Sequence, residues 1–175
     1  MDDERLVREI KSGDTEALDE LIQKYYRDIY AYCFRRMSCR ADAEDVTQDV
    51  FLHFCRNFDS YTQRGKCRNY LYVIARNLCV NALQKKPSLP LSSVEPERLA
   101  RDDGRVRRAD TAGSVRAALR RLPEEQREVV LLRFYQDLKL KDIAQITDSG
   151  LSVTKYRLYQ GLKALGKLLS KEDWR

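Results

Sequence analysis

The chain has 175 residues, 43% of them hydrophobic and 34% charged, and a net charge of +6. That length allows one domain or two small ones, and no run approaches the ~18 apolar residues of a membrane span. Five cysteines without a CxxC and a single histidine, His53, exclude zinc-site spacing and a Cys/His nucleophile pair, so neither a metal nor a cofactor is implied.

Helical periodicity dominates as far as Lys86. Leu6, Val7 and Ile10 mark a first short helix, ended by Ser12, Gly13 and Asp14. Ala17, Leu18, Leu21 and Ile22 begin a second, with Asp14 or Thr15 as its N-cap, and Tyr25, Tyr26, Ile29, Tyr30 and Cys33 continue its inner side. After an interruption at residues 38–42 a third helix runs to about Phe58. A polar loop leads to a fourth helix over roughly residues 69–84, with Leu71, Ile74, Ala75, Leu78 and Leu83 inward. Residues 87–113 then hold three of the chain's four prolines (Pro87, Pro90, Pro96) and little periodicity, the texture of a flexible linker with room for one short helix near residues 97–101. Periodicity resumes at Ser114, and Pro123, Glu124 and Glu125 suit the start of another helix. Two further helical segments, joined by residues 147–150 (Thr-Asp-Ser-Gly), have helix-turn-helix spacing. No strand pattern competes. The expected fold is all-α: two small helical domains, residues 1–86 and 114–175, joined by a linker over residues 87–113.

Charge is unevenly spread. No acid lies between Asp59 and Glu95, or between Asp148 and Glu172, and both windows are rich in Lys and Arg. Such windows suit contact with a polyanion, or are simply solvated faces. The first interleaves bases with Tyr61, Tyr70 and Tyr72, which fits unstacked bases lying on aromatic rings, although either Tyr70 or Tyr72 alone reads as core. On the last helix, Leu151, Leu158, Leu162, Leu165 and Leu169 form the expected buried stripe, while Ser152, Lys155, Tyr156, Tyr159, Gln160 and Lys163 lie opposite. Donors, cations and aromatic rings together are what a helix in a major groove needs. The third helix is different. Val46, Val50, Phe51, Phe54 and Phe58 share its apolar arc, while Asp45, Gln48 and Asp49 point away with Leu52 among them. Taken alone this is a solvated face; an apolar centre ringed by charge also suits a protein docking surface.

Three segments resemble bacterial sigma factors of the sigma-70 family, extracytoplasmic-function subfamily: "AEDVTQDVFLHF", "NYLYVIARNLCVNAL" and "LPEEQREVVLLRFYQDLKLKDIAQI". The resemblance spans almost the whole chain, in order. It implies a sigma-2 domain over residues 1–86 that binds polymerase core and recognises and melts the −10 element. It implies a sigma-4 domain over residues 114–175 that reads the −35 element and binds the β flap. Asp45, Gln48 and Asp49, with Leu52 added from the helical wheel, match positions that contact the β′ clamp coiled coil. Tyr61, Arg64, Lys66, Arg68, Asn69, Tyr72, Arg76, Asn77, Asn81 and Lys85 are the expected contacts to single-stranded −10 DNA. Ser152, Lys155, Tyr156, Arg157, Tyr159, Gln160 and Lys163 are the expected contacts to double-stranded −35 DNA. Transcription initiation of this kind needs no catalytic residue, so no enzyme is expected. The protein is expected in the cytoplasm, with reduced thiols and no membrane insertion, and the resemblance implies an anti-sigma factor as a further partner. The sequence departs from the family at the turn, where Leu-Gly-apolar-Pro is usual and Thr147, Asp148, Ser149 and Gly150 stand instead. It departs also at Tyr156, Gln160, Asn81 and Tyr70. An ordinary helix-turn-helix repressor or activator working as a homodimer explains the C-terminal half alone. A metal-dependent nuclease needs carboxylates converging on phosphate, and the basic windows lack them.

Overall fold

The computed structural model describes residues 3–37, 39–61, 66–85 and 109–172, and eight helices occur among them. They fall into two compact units, Met1–Glu97 and Arg98–Arg175.

The first unit holds α1 (Asp3–Lys11), α2 (Thr15–Met37), α3 (Arg40–Arg56) and α4 (Cys67–Lys85). Asp14 is the N-cap of α2: its carboxylate accepts from the N–H groups of Glu16 (2.9 Å) and Ala17 (3.2 Å). Gly13 ends α1 with φ +93°, a left-handed position that an L side chain rarely adopts. Helix α2 packs on α1, α3 and α4, and α3 packs on α4. The core between them is built from Leu6, Leu21, Ile29, Val50, Phe54 and Leu71. Helix α3 is shorter than its periodicity predicts. Its C-cap is Asn57, whose amide donates to the His53 carbonyl at 2.9 Å, and residues 57–60 turn away. Phe58 still reaches the core from that turn. All five cysteines are free thiols, with Cys33, Cys67 and Cys79 buried.

The second unit holds α5 (Ala109–Arg121), α6 (Glu124–Phe134), α7 (Leu140–Ile146) and α8 (Leu151–Glu172). Helix α5 begins at Ala109, inside the span expected as linker. The short helix expected near residues 97–101 lies outside the described residues. Pro123 is the N-cap of α6, one place before its first turn, and its carbonyl accepts from Gln126 and Arg127. Helix α8 packs on α5, α6 and α7. Ala118, Leu119, Leu122, Val130, Leu131 and Leu165 form its centre, with Leu158 and Leu168 against them.

Candidate polymerase and DNA interfaces

Helix α3 has two unlike sides. Val46, Val50, Phe51 and Phe54 are buried, and Thr47 satisfies its hydroxyl on the Ala43 carbonyl at 2.6 Å. Asp45, Gln48 and Asp49 are exposed on the other side, and Leu52 keeps 50% of its surface in solvent. Glu44 is occupied by Arg40 at 2.9 Å on the flank, whereas no ion pair among the described residues involves Asp45 or Asp49. Tyr26 of α2, also exposed, stacks on Phe51 with centroids 5.8 Å apart. The expected four residues therefore share one outward surface, with apolar area at hand for a protein partner.

Helix α4 sorts its residues less as expected. Arg68 and Arg76 are half-buried, and Lys66, Asn77, Asn81 and Lys85 are exposed. Tyr72 is not on that surface. It is 1% exposed and meets Tyr32 edge-on at 5.6 Å, so its ring belongs to the core. Asn69 is buried as well. Tyr61 is 7% exposed, its ring packed among Phe54, Phe58 and Tyr70. Burial pushes the hydroxyls of Tyr61 and Tyr72 above their usual range. The structure therefore places these three expected contact residues inside the unit and not on its surface. Arg64 lies outside the described residues. In exchange, the structure brings forward Tyr70, half-buried with its ring 4.8 Å from that of Tyr61. Tyr70, Asn77, Asn81 and Gln84 share one strip of α4, and the spacing i, i+7, i+11, i+14 is the signal that singles out Tyr70 over Tyr72.

On α8, Ser152, Lys155, Tyr156, Tyr159 and Lys163 are exposed, and both tyrosines keep 62% of their surface in solvent. Gln160 is half-buried on the margin. Arg157 is turned inward and paired with Glu125 of α6 at 2.8 Å, so its guanidinium joins helix to helix rather than standing on the outer face. The leucine stripe is displaced too. The innermost line runs through Thr154, Gly161 and Leu165, and Leu162, at 42% exposure, joins the outer face beside Lys155 and Tyr159. The turn before α8 is held by hydroxyls. Thr147 donates to the Ile143 carbonyl at 2.8 Å, the Ser149 hydroxyl lies 2.8 Å from that of Thr147 and 3.1 Å from that of Thr154, and Thr154 donates to Gly150. Asp148 takes the left-handed conformation, φ +48°, that the turn requires.

Residues 21–87 match Sigma-70 region 2, and residues 112–165 match Sigma-70 region 4. The ECF RNA polymerase sigma factor SigW of Bacillus subtilis is 27% identical, over 93% of this chain and 94% of its own. SigM of Mycobacterium tuberculosis, another ECF sigma factor, is 28% identical over 90% and 80%. The chain belongs to the sigma-70 family, in its extracytoplasmic-function branch. Two solved structures share its fold: CnrH in complex with the cytosolic domain of CnrY (20% identity, TM-score 0.73, 95% and 96% of the two chains), and RpoE in complex with the anti-sigma factor NepR from Bartonella quintana (19%, 0.71, 87% and 96%). This sigma factor binds RNA polymerase core and promoter DNA and directs transcription initiation. In it, α3 and α4 lie wholly inside the region 2 match and α6 and α7 inside the region 4 match, while α1 precedes both. No helix among the described residues is long and apolar enough to cross a membrane.

Proposed function

We propose that three surfaces divide the work of initiation. The α3 face of Asp45, Gln48, Asp49 and Leu52 grips the β′ clamp coiled coil of polymerase core. The α4 strip, with Lys66, Arg68, Arg76, Asn77, Asn81 and Lys85, takes the melted −10 strand, and Tyr70 offers the ring on which a base can stack. The outer face of α8, with Ser152, Lys155, Tyr156, Tyr159, Gln160 and Lys163, reads the −35 duplex, while the sigma-4 unit also meets the β flap. The observation behind this division is the segregation of charge. Free acids and an exposed leucine stand together on α3, and α4 has no acid anywhere along its length.

The energetics agree with a binder rather than an enzyme. Opening duplex costs roughly 1.4 kcal/mol per base-pair step, and each base stacked on a side chain offsets about 1–3 kcal/mol of it. Lysines neutralise phosphates and make the contact salt-dependent. The chemistry stays with polymerase, and the chain works in the cytoplasm. Two structures of like fold are complexes with CnrY and the anti-sigma factor NepR, which supports an anti-sigma partner here.

Purified chain and core polymerase should start transcripts at promoters mapped after its overexpression. Asp45→Ala with Asp49→Ala should weaken core binding about tenfold or more, within the range of truncating charged contacts at an interface, and leave the binding of free protein to −35 duplex intact. Equal loss of both activities, or no transcript from any mapped promoter, would remove the assignment.

A further inference from the structure

Helix α1 lies outside both matched regions, and one of its side chains crosses to the segment on which −10 contact depends. The Lys11 ammonium donates to the Tyr61 carbonyl at 2.8 Å, a hydrogen bond joining residues 50 apart in sequence. Tyr61 follows the turn at residues 57–60 and is buried. Its own N–H is spent on the Phe58 carbonyl at 3.0 Å, and its ring is locked among Phe54, Phe58 and Tyr70.

The helix that supplies Lys11 is itself anchored at both ends. At its start, Asp3 accepts from the Tyr25 hydroxyl at 2.8 and 2.7 Å and pairs with Lys24. Leu6 and Val7 are buried, and Arg5 reaches Glu20 of α2 at 3.3 Å. At its end, the Ser12 hydroxyl caps the Glu9 carbonyl at 2.7 Å. Lys11 therefore projects from a fixed element, and an ammonium–carbonyl bond from such an element is of the stronger kind. On the far side of the turn, Cys67 opens α4. Burial, with the charge of Asp3, pushes its thiol up to about 12, and Tyr61 shares a hydrogen bond with it. The Tyr61 ring thus touches both Phe54 of α3 and Tyr70 of α4, and Lys11 of α1 holds its carbonyl.

We infer that Lys11 is a positioning residue for −10 recognition, fixing Tyr61 and, through its ring, the Tyr70 ring of the α4 strip 4.8 Å away. This rests on the −10 reading of α4. It extends that reading to a helix outside both matched regions.

The test uses the full chain with polymerase core and a forked promoter probe whose −10 strand is single. The readout is the affinity ratio between the preferred −10 base and a substituted one. Lys11→Met is expected to lower that ratio about tenfold, the span of one hydrogen bond to a charged group, with core affinity unchanged and Tm lowered by no more than that one bond accounts for. Lys11→Arg should restore most of it, because a guanidinium can donate to the same carbonyl. An unchanged ratio in Lys11→Met overturns the inference. So does a parallel fall in core affinity, which would mean that α1 supports the whole domain rather than the turn. A wild-type complex without any −10 preference removes the −10 reading and this inference together, and it does so before any substitution is made.

Discussion

Helices α4 and α8 are near-equal in length, 19 and 22 residues, and both carry Lys and Arg with no acid before Glu172, yet they place their aromatic rings oppositely. Helix α4 is wedged against α2 and α3, and Tyr72 fills the space between them. Helix α8 buries Thr154, Gly161 and Leu165 on one side, and at Gly161 it comes close to Val130 of α6. Tyr156 and Tyr159 are left standing in solvent. The lesson is that a tyrosine in a basic helix is not evidence of a nucleic-acid contact until its side of the helix is known. A strip of amides beside one tyrosine suits a single strand, and a broad face with cations and two rings suits a groove.

The sharpest way to break this contrast is to truncate one ring in each helix. Tyr72→Ala should destabilise the sigma-2 unit by about 3–5 kcal/mol, as for other large aromatic truncations in a core. Tyr156→Ala should leave stability within about 0.5 kcal/mol and lower affinity for −35 duplex instead. Chemical unfolding of both variants, beside duplex binding, checks the pair. A stable Tyr72→Ala protein that had lost only −10 binding would return that ring to the DNA surface.

Alkaline pH separates the units next. Burial raises Tyr25, Tyr61 and Tyr72 from 10.0, and Cys67 from 9.0 to about 12. All four lie in the sigma-2 unit. A raised folded-state value means that the unfolded chain releases its proton first. The stabilisation is therefore complete below the unfolded values and is lost as pH climbs past them. Tyr30 and Cys55 are raised in the same unit, and Cys33, lowered by its hydrogen bond with Cys79, acts in the opposite sense, one group against six. The sigma-2 unit should lose stability from about pH 9 upward, while the sigma-4 unit, which holds none of these groups, should hold longer. Separate melting curves for the two units over that range check it, and a flat sigma-2 midpoint to about pH 10.5 would contradict it.

The all-α fold and the outward face of α3 were legible because helical period alone fixes which side a residue takes: Asp45, Gln48, Asp49 and Leu52 needed nothing beyond 3.6 residues per turn. Tyr72 was not, because its burial depends on Tyr32, a residue of another helix that local pattern cannot see. Tyr70 could have been found, since its spacing from Asn77 and Asn81 is itself a pattern. The pairing of Arg157 with Glu125, 32 residues earlier in chain order, was not legible either, because it joins two helices. The turn shows a third kind of gap. Its missing glycine is replaced not by Gly150 but by Asp148 in a left-handed conformation, and three hydroxyls from Thr147, Ser149 and Thr154 meet around it. Aspartate tolerates that conformation better than most residues, yet which position adopts it emerges only when the hydroxyls come together.

The finest test concerns the close line that leaves the α8 face free. A Cβ at Gly161 would stand 3.0 Å from Val130 Cγ2, whereas one at Gly166 would meet nothing within 4 Å. Both changes to alanine gain helix propensity, about 0.5–1 kcal/mol against glycine. At Gly166 nothing opposes the gain, and Tm should rise. At Gly161 the opposing methyl belongs to a buried, β-branched side chain with little freedom to turn away, and overpacking of that kind costs typically 1–3 kcal/mol. The clash outweighs the propensity, and Gly161→Ala should lower sigma-4 stability by about 1 kcal/mol. Thermal melting of the two variants side by side reads the sign directly. A rise in both would mean that α6 can withdraw from α8 at no cost, and the account of why Tyr156 and Tyr159 stay exposed would lose its cause.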